Sequence, residues 1–157
     1  MTLGRCLSLA SLACALLSAC TPTVNRLEPY RDDAVAATAL ERQASAECAL
    51  LHSAVRLPPH PFTTDGCSFW LDSDWVECCV AHDILYWCGG TCEERAAADD
   101  GLRQCVADRA SSAMATTMYI GVRLGGPPWT GLPSRWGYGW DWPHGYDEET
   151  PASVPVK

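Results

Sequence analysis

The segment from Asp65 to Cys92, DGCSFWLDSDWVECCVAHDILYWCGGTC, places a turn, a helix and a second turn one after another. The helix is predicted from about Trp75 to Cys88, and the following Gly89-Gly90 pair ends it. Positions i, i+3, i+4 and i+7 share one face of a helix, and here they are Cys79, His82, Asp83 and Tyr86. The adjacent His82 and Asp83 point in different directions, which predicts two separate roles for them.

A carboxylate is expected to reach His82 from the next helix. Thr91 can cap that helix, which is predicted to extend to about Arg123. Because the turn between the two helices is short, they should pack antiparallel and bring Asp99 level with His82. A carboxylate in that position fixes the imidazole tautomer and leaves the other nitrogen as a base. The hydroxyl of Tyr86, one turn from His82, can steady Asp99.

The loop that precedes the helix contains oxygen ligands for a metal ion. Asp83 is predicted to project beside a set of carboxylates and a glycine turn, namely Asp65, Gly66, Asp72 and Asp74. Carboxylates combined with the backbone carbonyls of such a turn suit a hard cation. Ca²⁺ is therefore the expected cofactor.

The N-terminus has the features of a targeting segment. A basic residue is followed by an apolar run and then by LSAC, residues 17–20, the small-residue pattern of a cleavage site. It resembles the lipobox of bacterial lipoproteins, which implies a signal peptide over residues 1–19 and a lipid on Cys20. An ordinary signal peptide or a short membrane helix is the alternative, although the apolar run is short for a span. Residues 20–31 then form a tether, and Thr21 is compatible with sorting to the outer membrane.

One more helix is predicted ahead of the loop. Asp32 and Asp33 are favourable helix-start residues. Apolar residues then recur at steps of three or four and give one buried face, made of Leu40, Ala44, Cys48, Leu51 and Val55. Three prolines at positions 58, 59 and 61 end this helix. The domain predicted over residues 32–126 is therefore all-α.

The remaining residues, 127–157, form an aromatic-rich extension with an acidic tail. Its main aromatic residues either contact lipid headgroups or fold back over a small core, and they are Trp129, Trp136, Tyr138, Trp140 and Trp142. The whole chain has a formal net charge of −8. That charge argues against nucleic acid as a partner and against strong adsorption to highly anionic lipid.

The sequence CCVAHDILY, residues 78–86, resembles the active-site helix of secreted phospholipase A2. DGCS before it and RAAADDGL after it resemble the bacterial branch of that superfamily, so the resemblance covers about residues 64–106. It implies a catalytic base, a supporting tyrosine and a carboxylate behind the base, which are His82, Tyr86 and Asp99. It also implies three calcium ligands, which are Asp83, Asp65 and the carbonyl of Gly66. Asp100 is the alternative to Asp99.

The cysteines are expected to form disulfides, because an exported chain enters an oxidising compartment. Seven remain if residues 1–19 are removed and Cys20 is lipidated. The predicted pairs are Cys67–Cys79, Cys78–Cys105 and Cys88–Cys92. The first would tie the loop to the active helix. Cys48 is then the odd thiol, although it could instead pair with Cys88 or Cys92.

The expected activity is calcium-dependent hydrolysis of the sn-2 ester of glycerophospholipids by a water that His82 activates. The protein would be a lipid-anchored monomer that acts on a phospholipid membrane. The alternative is a non-catalytic envelope lipoprotein that binds lipid or protein. Phe69, Trp70 and Trp75 crowd the loop, and this feature favours the alternative.

Overall fold

The computed structural model describes Leu27 and residues 30–52 and 57–148. These residues form four α-helices and no β-strand. The helices are α1 (Ala34–Leu51), α2 (Val76–Cys88), α3 (Cys92–Arg109) and α4 (Ser112–Gly125). The all-α prediction is confirmed. The predicted signal peptide, the lipidated Cys20 and most of the tether lie outside the described residues.

Helix α1 starts at the predicted residue and packs against α2. The side chain of Asp33 accepts hydrogen bonds from the N–H groups of Val35 and Ala36, at 3.0 and 2.9 Å, and so caps the first turn. The predicted apolar face is buried as far as Cys48 and contacts Val80, Ile84 and Trp87 of α2. Leu51, predicted on the same face, is instead half exposed because it is the last residue of the helix. Val55 lies outside the described residues.

The prediction of one helix from Thr91 to Arg123 is wrong, because the chain breaks it at Ala110 and Ser111. Ala110 leaves the helical conformation, and Ser111 is extended with its hydroxyl accepting the N–H of Met114 at 3.2 Å. Serine at this position is a strong helix cap. Helix α4 therefore turns back along α3, and their shared core contains Leu102, Val106, Ala115 and Met118.

Two of the three predicted disulfides are confirmed. Cys67–Cys79 ties the loop to α2, and Cys78–Cys105 joins α2 to α3. The predicted Cys88–Cys92 pair is wrong, since Cys88 is bonded to Cys48 at a Cα–Cα distance of 5.6 Å. The reason is the packing of α1, whose buried face brings Cys48 to the end of α2. Because Cys48 is bonded to Cys88, it is not the odd thiol.

The C-terminal extension folds back over α2 instead of projecting away from it. The indole N–H of Trp136, which is 1% exposed, donates to the carbonyl of Gly90, and that of Trp140 donates to Cys88. The backbone N–H groups of Gly137 and Gly139 donate to the carbonyls of residues 86 and 87. These contacts satisfy carbonyls that would otherwise be open at the end of a helix. Within the part of the chain that the structure describes, no helix has the length and apolar character needed to cross a membrane.

Candidate active site

His82 and Asp99 meet at the interface between α2 and α3. His82 is 6% exposed, and its Nε2 lies 2.8 Å from Oδ1 of Asp99, which is fully buried. The alternative residue, Asp100, points to solvent and pairs with Arg103 at 2.9 Å. Asp99 is therefore the carboxylate behind the histidine, as the helix register predicted. Because Nε2 is occupied, Nδ1 is the nitrogen left to act on a substrate.

Three further side chains surround the carboxylate of Asp99. The Tyr86 hydroxyl donates to Oδ1 at 2.7 Å, which is the predicted contact. Arg123 Nη1 donates to Oδ2 at 2.6 Å, and Arg95 Nη2 lies 3.8 Å from the same oxygen. Burial alone would raise the pKa of Asp99, but the hydrogen bonds from His82, Tyr86 and Arg123 outweigh it and hold this pKa below its usual value. Asp99 is therefore a stable anion.

Sequence reasoning missed both arginines. Arg95 stands four residues before Asp99 on α3, a spacing that brings side chains together on a helix and could have identified it. Arg123 had no such signal. In one continuous helix it would lie roughly 36 Å from Asp99 along the axis, at about 1.5 Å per residue. Only the break at residues 110 and 111 brings α4 back to the site.

His82, of the His82–Asp99 dyad, forms part of the wall of a cavity of about 250 Å³ between α2, α4 and the loop at residues 66–70. His82, Asp83 and Tyr86 are among its polar lining residues, and Leu102, Met118 and Val122 are among its apolar ones. Three glycines, Gly121, Gly125 and Gly126, line the α4 side. The cavity therefore offers an apolar chain access to His82.

Exposed apolar side chains occur beside this cavity. Phe69 and Trp70 line it and are 71% and 41% exposed, and Leu71 follows at 83%. On α4, Ile120 and Leu124 are also exposed and are the neighbours of the lining glycines. Phe69 has a φ of 62°, a strained value for a non-glycine residue. The chain thus keeps a large apolar side chain in water at the cost of backbone strain.

Asp83 projects away from Asp99 and toward the loop. Its Oδ2 accepts the hydroxyl of Thr64 at 2.6 Å, and that hydroxyl oxygen accepts the N–H of Gly66 at 3.1 Å. Burial raises the pKa of Asp83 well above its usual value, and the charges of Asp65 and Asp72 raise it further, although the hydrogen bond from Thr64 opposes them. No salt bridge among the described residues involves Asp65, Asp72 or Asp83. This region therefore has an excess of negative charge.

The loop beside Asp83 is fixed by its own contacts. The side chain of Asp72 accepts the N–H of Cys67 at 2.9 Å, and that of Asp65 accepts the hydroxyl of Ser68 at 2.7 Å. Gly66 has a φ of 77°, and a Cβ there would lie 2.4 Å from an oxygen of Asp72. Glycine is therefore required at this turn. Asp74 is exposed and does not join the group around Asp83.

Around Asp83, the described side chains alone do not bring three ligand atoms close together, so a hard cation there would also need backbone oxygens. In the described residues, one set of three ionisable side chains has its ligand atoms within 4.8 Å of one another, namely Cys48, His52 and Cys88. The two cysteines of that set are bonded to each other, so they offer no thiolate. Asp83 and Asp65 with the carbonyl of Gly66 fit calcium chemistry, which accepts carboxylate, carbonyl and water oxygens.

No family model, no curated protein and no solved structure matches this chain. What the protein does therefore has to be inferred from the residues around His82.

Proposed function

We propose that this protein is a calcium-dependent hydrolase of glycerophospholipids that cleaves the sn-2 ester with a water activated by His82. One observation carries the proposal. A histidine backed by a buried, charge-compensated aspartate shares the wall of one apolar cavity with an aspartate whose charge is uncompensated. The preference for the sn-2 position comes from the resemblance to secreted phospholipase A2.

The histidine is suited to the role of general base. Nδ1 of His82 would accept a proton from water, while Asp99 holds the ring through Nε2 and stabilises the imidazolium that forms. Cys67 and Cys79 line the cavity as a disulfide, and the Ser68 hydroxyl donates to Asp65. In the described structure no serine, threonine or cysteine hydrogen-bonds to His82, which supports water as the nucleophile.

Asp83, Asp65 and the carbonyl of Gly66 would hold the calcium ion. Bound calcium would polarise the ester carbonyl and stabilise the negative charge that develops on its oxygen. The chain contributes the excess negative charge that attracts the ion. It also fixes the loop through the Cys67–Cys79 disulfide and the contacts of Asp72.

The surface around the cavity supports a membrane substrate. Phe69, Trp70 and Leu71 can insert among lipids, since amphipathic and apolar side chains bind at the membrane interface. With a net charge of −8, the chain would depend on apolar contact instead of electrostatic attraction. We further propose that the protein acts as a monomer anchored through a lipid on Cys20 in a bacterial envelope, on the outer membrane.

The second candidate is a non-catalytic envelope lipoprotein that binds lipid or protein with the same fold. The observation in its favour is the loop, where Phe69 and Trp70 are bulky and exposed and Phe69 is strained. A binding protein has no need for calcium. Calcium dependence therefore discriminates between the two candidates.

The test is a hydrolysis assay with the full-length protein in mixed micelles of a phosphatidylcholine that carries different acyl chains at sn-1 and sn-2. We expect release of the sn-2 fatty acid with Ca²⁺ and none with EDTA, as measured by mass spectrometry. Calorimetry with Ca²⁺ should show binding to the same sample. A folded, disulfide-bonded protein that releases no fatty acid and binds no calcium would favour the lipoprotein candidate.

A further inference from the structure

We propose that Arg123 is a positioning residue for the reaction, because from α4 it holds the Asp99 carboxylate charged and aligned behind His82. This inference rests on the proposed hydrolysis. It gives α4 a part in the chemistry, whereas the resemblance of the sequence to phospholipase A2 extends only over α2, α3 and the loop.

The geometry of Asp99 requires a cation on one side. Oδ1 serves His82 and Tyr86, at 2.8 and 2.7 Å. Oδ2 faces away from them and accepts its hydrogen bond from Arg123, at 2.6 Å. Asp99 is fully buried, and a buried carboxylate without a charged partner is strongly disfavoured. Hydrogen bonds from a charged donor are stronger than those from a neutral donor. Without Arg123, the carboxylate could rotate or take up a proton, and either change weakens its hold on His82.

Arg95 does not replace Arg123 in this role, because each of its three nitrogens donates to another partner and its closest approach to Asp99 is 3.8 Å. Nε donates to the Tyr86 hydroxyl at 3.1 Å, and Nη1 donates to the Tyr146 hydroxyl at 2.9 Å. Nη2 donates to the carbonyls of Val122 and Arg123 at 2.8 and 3.0 Å. Arg95 therefore fastens the backbone of α4 beside the site. The side chain of Arg123 makes the contact with Asp99.

The chain contains a matched control for this pair. Arg103 and Asp100 also form an arginine–aspartate pair, at 2.9 Å, with both side chains about half exposed. Exposed pairs contribute little to structure or stability. A loss of activity that follows removal of Arg123 but not of Arg103 would therefore come from the position behind His82.

The experiment compares Arg123→Ala, Arg123→Lys and Arg103→Ala in the full-length protein, with a short-chain phosphatidylcholine and saturating Ca²⁺. For Arg123→Ala we expect kcat to fall by roughly 10–100-fold with little change in KM, because residues that orient a catalytic group act on the transition state. Arg123→Lys should keep more activity, and millimolar guanidinium should restore part of the activity of Arg123→Ala. Arg103→Ala should match the wild type. The inference is overturned if Arg123→Ala keeps the wild-type kcat, or if its loss equals the unfolded fraction of the sample.

A second measurement does not depend on activity. Carboxyl ¹³C NMR reports the pH at which Asp99 becomes protonated, and the groups facing it are His82, Tyr86, Arg95 and Arg123. We expect Asp99 to titrate at a higher pH in Arg123→Ala than in the wild type, and at an unchanged pH in Arg103→Ala. Equal midpoints would overturn the inference. A wild type that cleaves no phospholipid, with the shifted midpoint present, would reject the proposed hydrolysis but keep the placement of Arg123. If Arg123→Ala does not fold, Arg123→Met, which keeps an apolar stem but has no charge, is titrated in its place, and a midpoint equal to that of the wild type overturns the inference.

Discussion

Asp99 and Asp83 are two carboxylates on either side of His82, and the chain treats their charges in opposite ways. Asp99 is surrounded by donors, including Arg123 at 2.6 Å, and its pKa lies below the usual value. Asp83 receives one hydroxyl hydrogen bond, faces the charges of Asp65 and Asp72, and has a pKa well above the usual value. Around Asp99, which we call the completed region, the residues of the protein themselves balance the negative charge. Around Asp83, the incomplete region, a negative charge remains that a bound cation would have to balance.

The largest expected effect tests the histidine that separates the two regions. His82→Gln should lower phospholipid hydrolysis by ~10²–10⁴-fold, the range for a positioned acid–base group, without unfolding the protein. His60→Gln is the control, because His60 also pairs with an aspartate, Asp141, at 2.8 Å but is exposed. Initial rates and circular dichroism of both variants check this. Equal rates for the two variants would remove His82 from the mechanism.

Asp99→Asn should destabilise the completed region and so lower the free energy of unfolding. It leaves Arg123 and Arg95 without their buried anion, and loss of one partner of a buried pair typically costs about 3–5 kcal/mol in the free energy of unfolding. Because the pKa of Asp99 is lower in the folded protein, its contribution is present at neutral pH and disappears as pH falls through the folded pKa. The loss should therefore shrink in acid. Urea unfolding at several pH values measures it, with Asp100→Asn expected to stay within about 0.5 kcal/mol of the wild type.

Substitutions at two adjacent glycines, Gly125 and Gly126, test how closely the end of α4 must approach Tyr86 in the completed region. A Cβ on Gly126 would lie 2.4 Å from the Tyr86 hydroxyl and 2.7 Å from the carbonyl of Val122, whereas a Cβ on Gly125 meets nothing within 4 Å. Gly126→Ala should cost about 1–3 kcal/mol through overpacking and also lower kcat. Gly125→Ala should be neutral or stabilise the helix by up to about 1 kcal/mol. Thermal unfolding and rate measurements on the pair decide this, and equal behaviour would contradict the close contact.

The smallest expected effect has the opposite sign and concerns the incomplete region. Asp83→Asn should modestly stabilise the calcium-free protein, because burial and the charges of Asp65 and Asp72 disfavour the charged carboxylate in the folded state. Because the pKa of Asp83 is raised on folding, the wild type loses stability as pH rises through that pKa, and asparagine cannot. The gain should thus be absent in acid and complete above the folded pKa. Melting curves in EDTA test it, and added Ca²⁺ should reverse the order of the two proteins.

The parts of the site that sequence could predict depend on local spacing. The stripe of His82, Asp83 and Tyr86 follows from helix geometry, and the short turn at Gly89 and Gly90 set the register that brings Asp99 to His82. The Cys67–Cys79 pair followed from the need to hold the loop against the helix. In each case few residues separate the partners, so the backbone leaves little freedom.

The parts that could not be predicted depend on contacts between distant segments. Nothing near Cys48 shows that α1 delivers it to Cys88, 40 residues away. The serine cap at Ser111 is a weak signal inside a long helical pattern, and missing it hid the contact between Arg123 and Asp99. Burial of Trp136 against the turn after α2, instead of exposure to lipid, likewise depends on packing that sequence periodicity does not record.

The C-terminal segment that covers the end of α2 also determines when the site can form. Trp140 donates to Cys88 from 52 positions further along the chain, so the helix that carries His82 is synthesised well before the residues that close it. Arg123 and Gly126 likewise follow the dyad in order of synthesis. On the proposed function, a chain crossing the membrane of its own cell would carry an unfinished catalytic centre until its last fifth had been delivered. Timing of this kind would protect the lipids of the producing cell during export without a separate inhibitor.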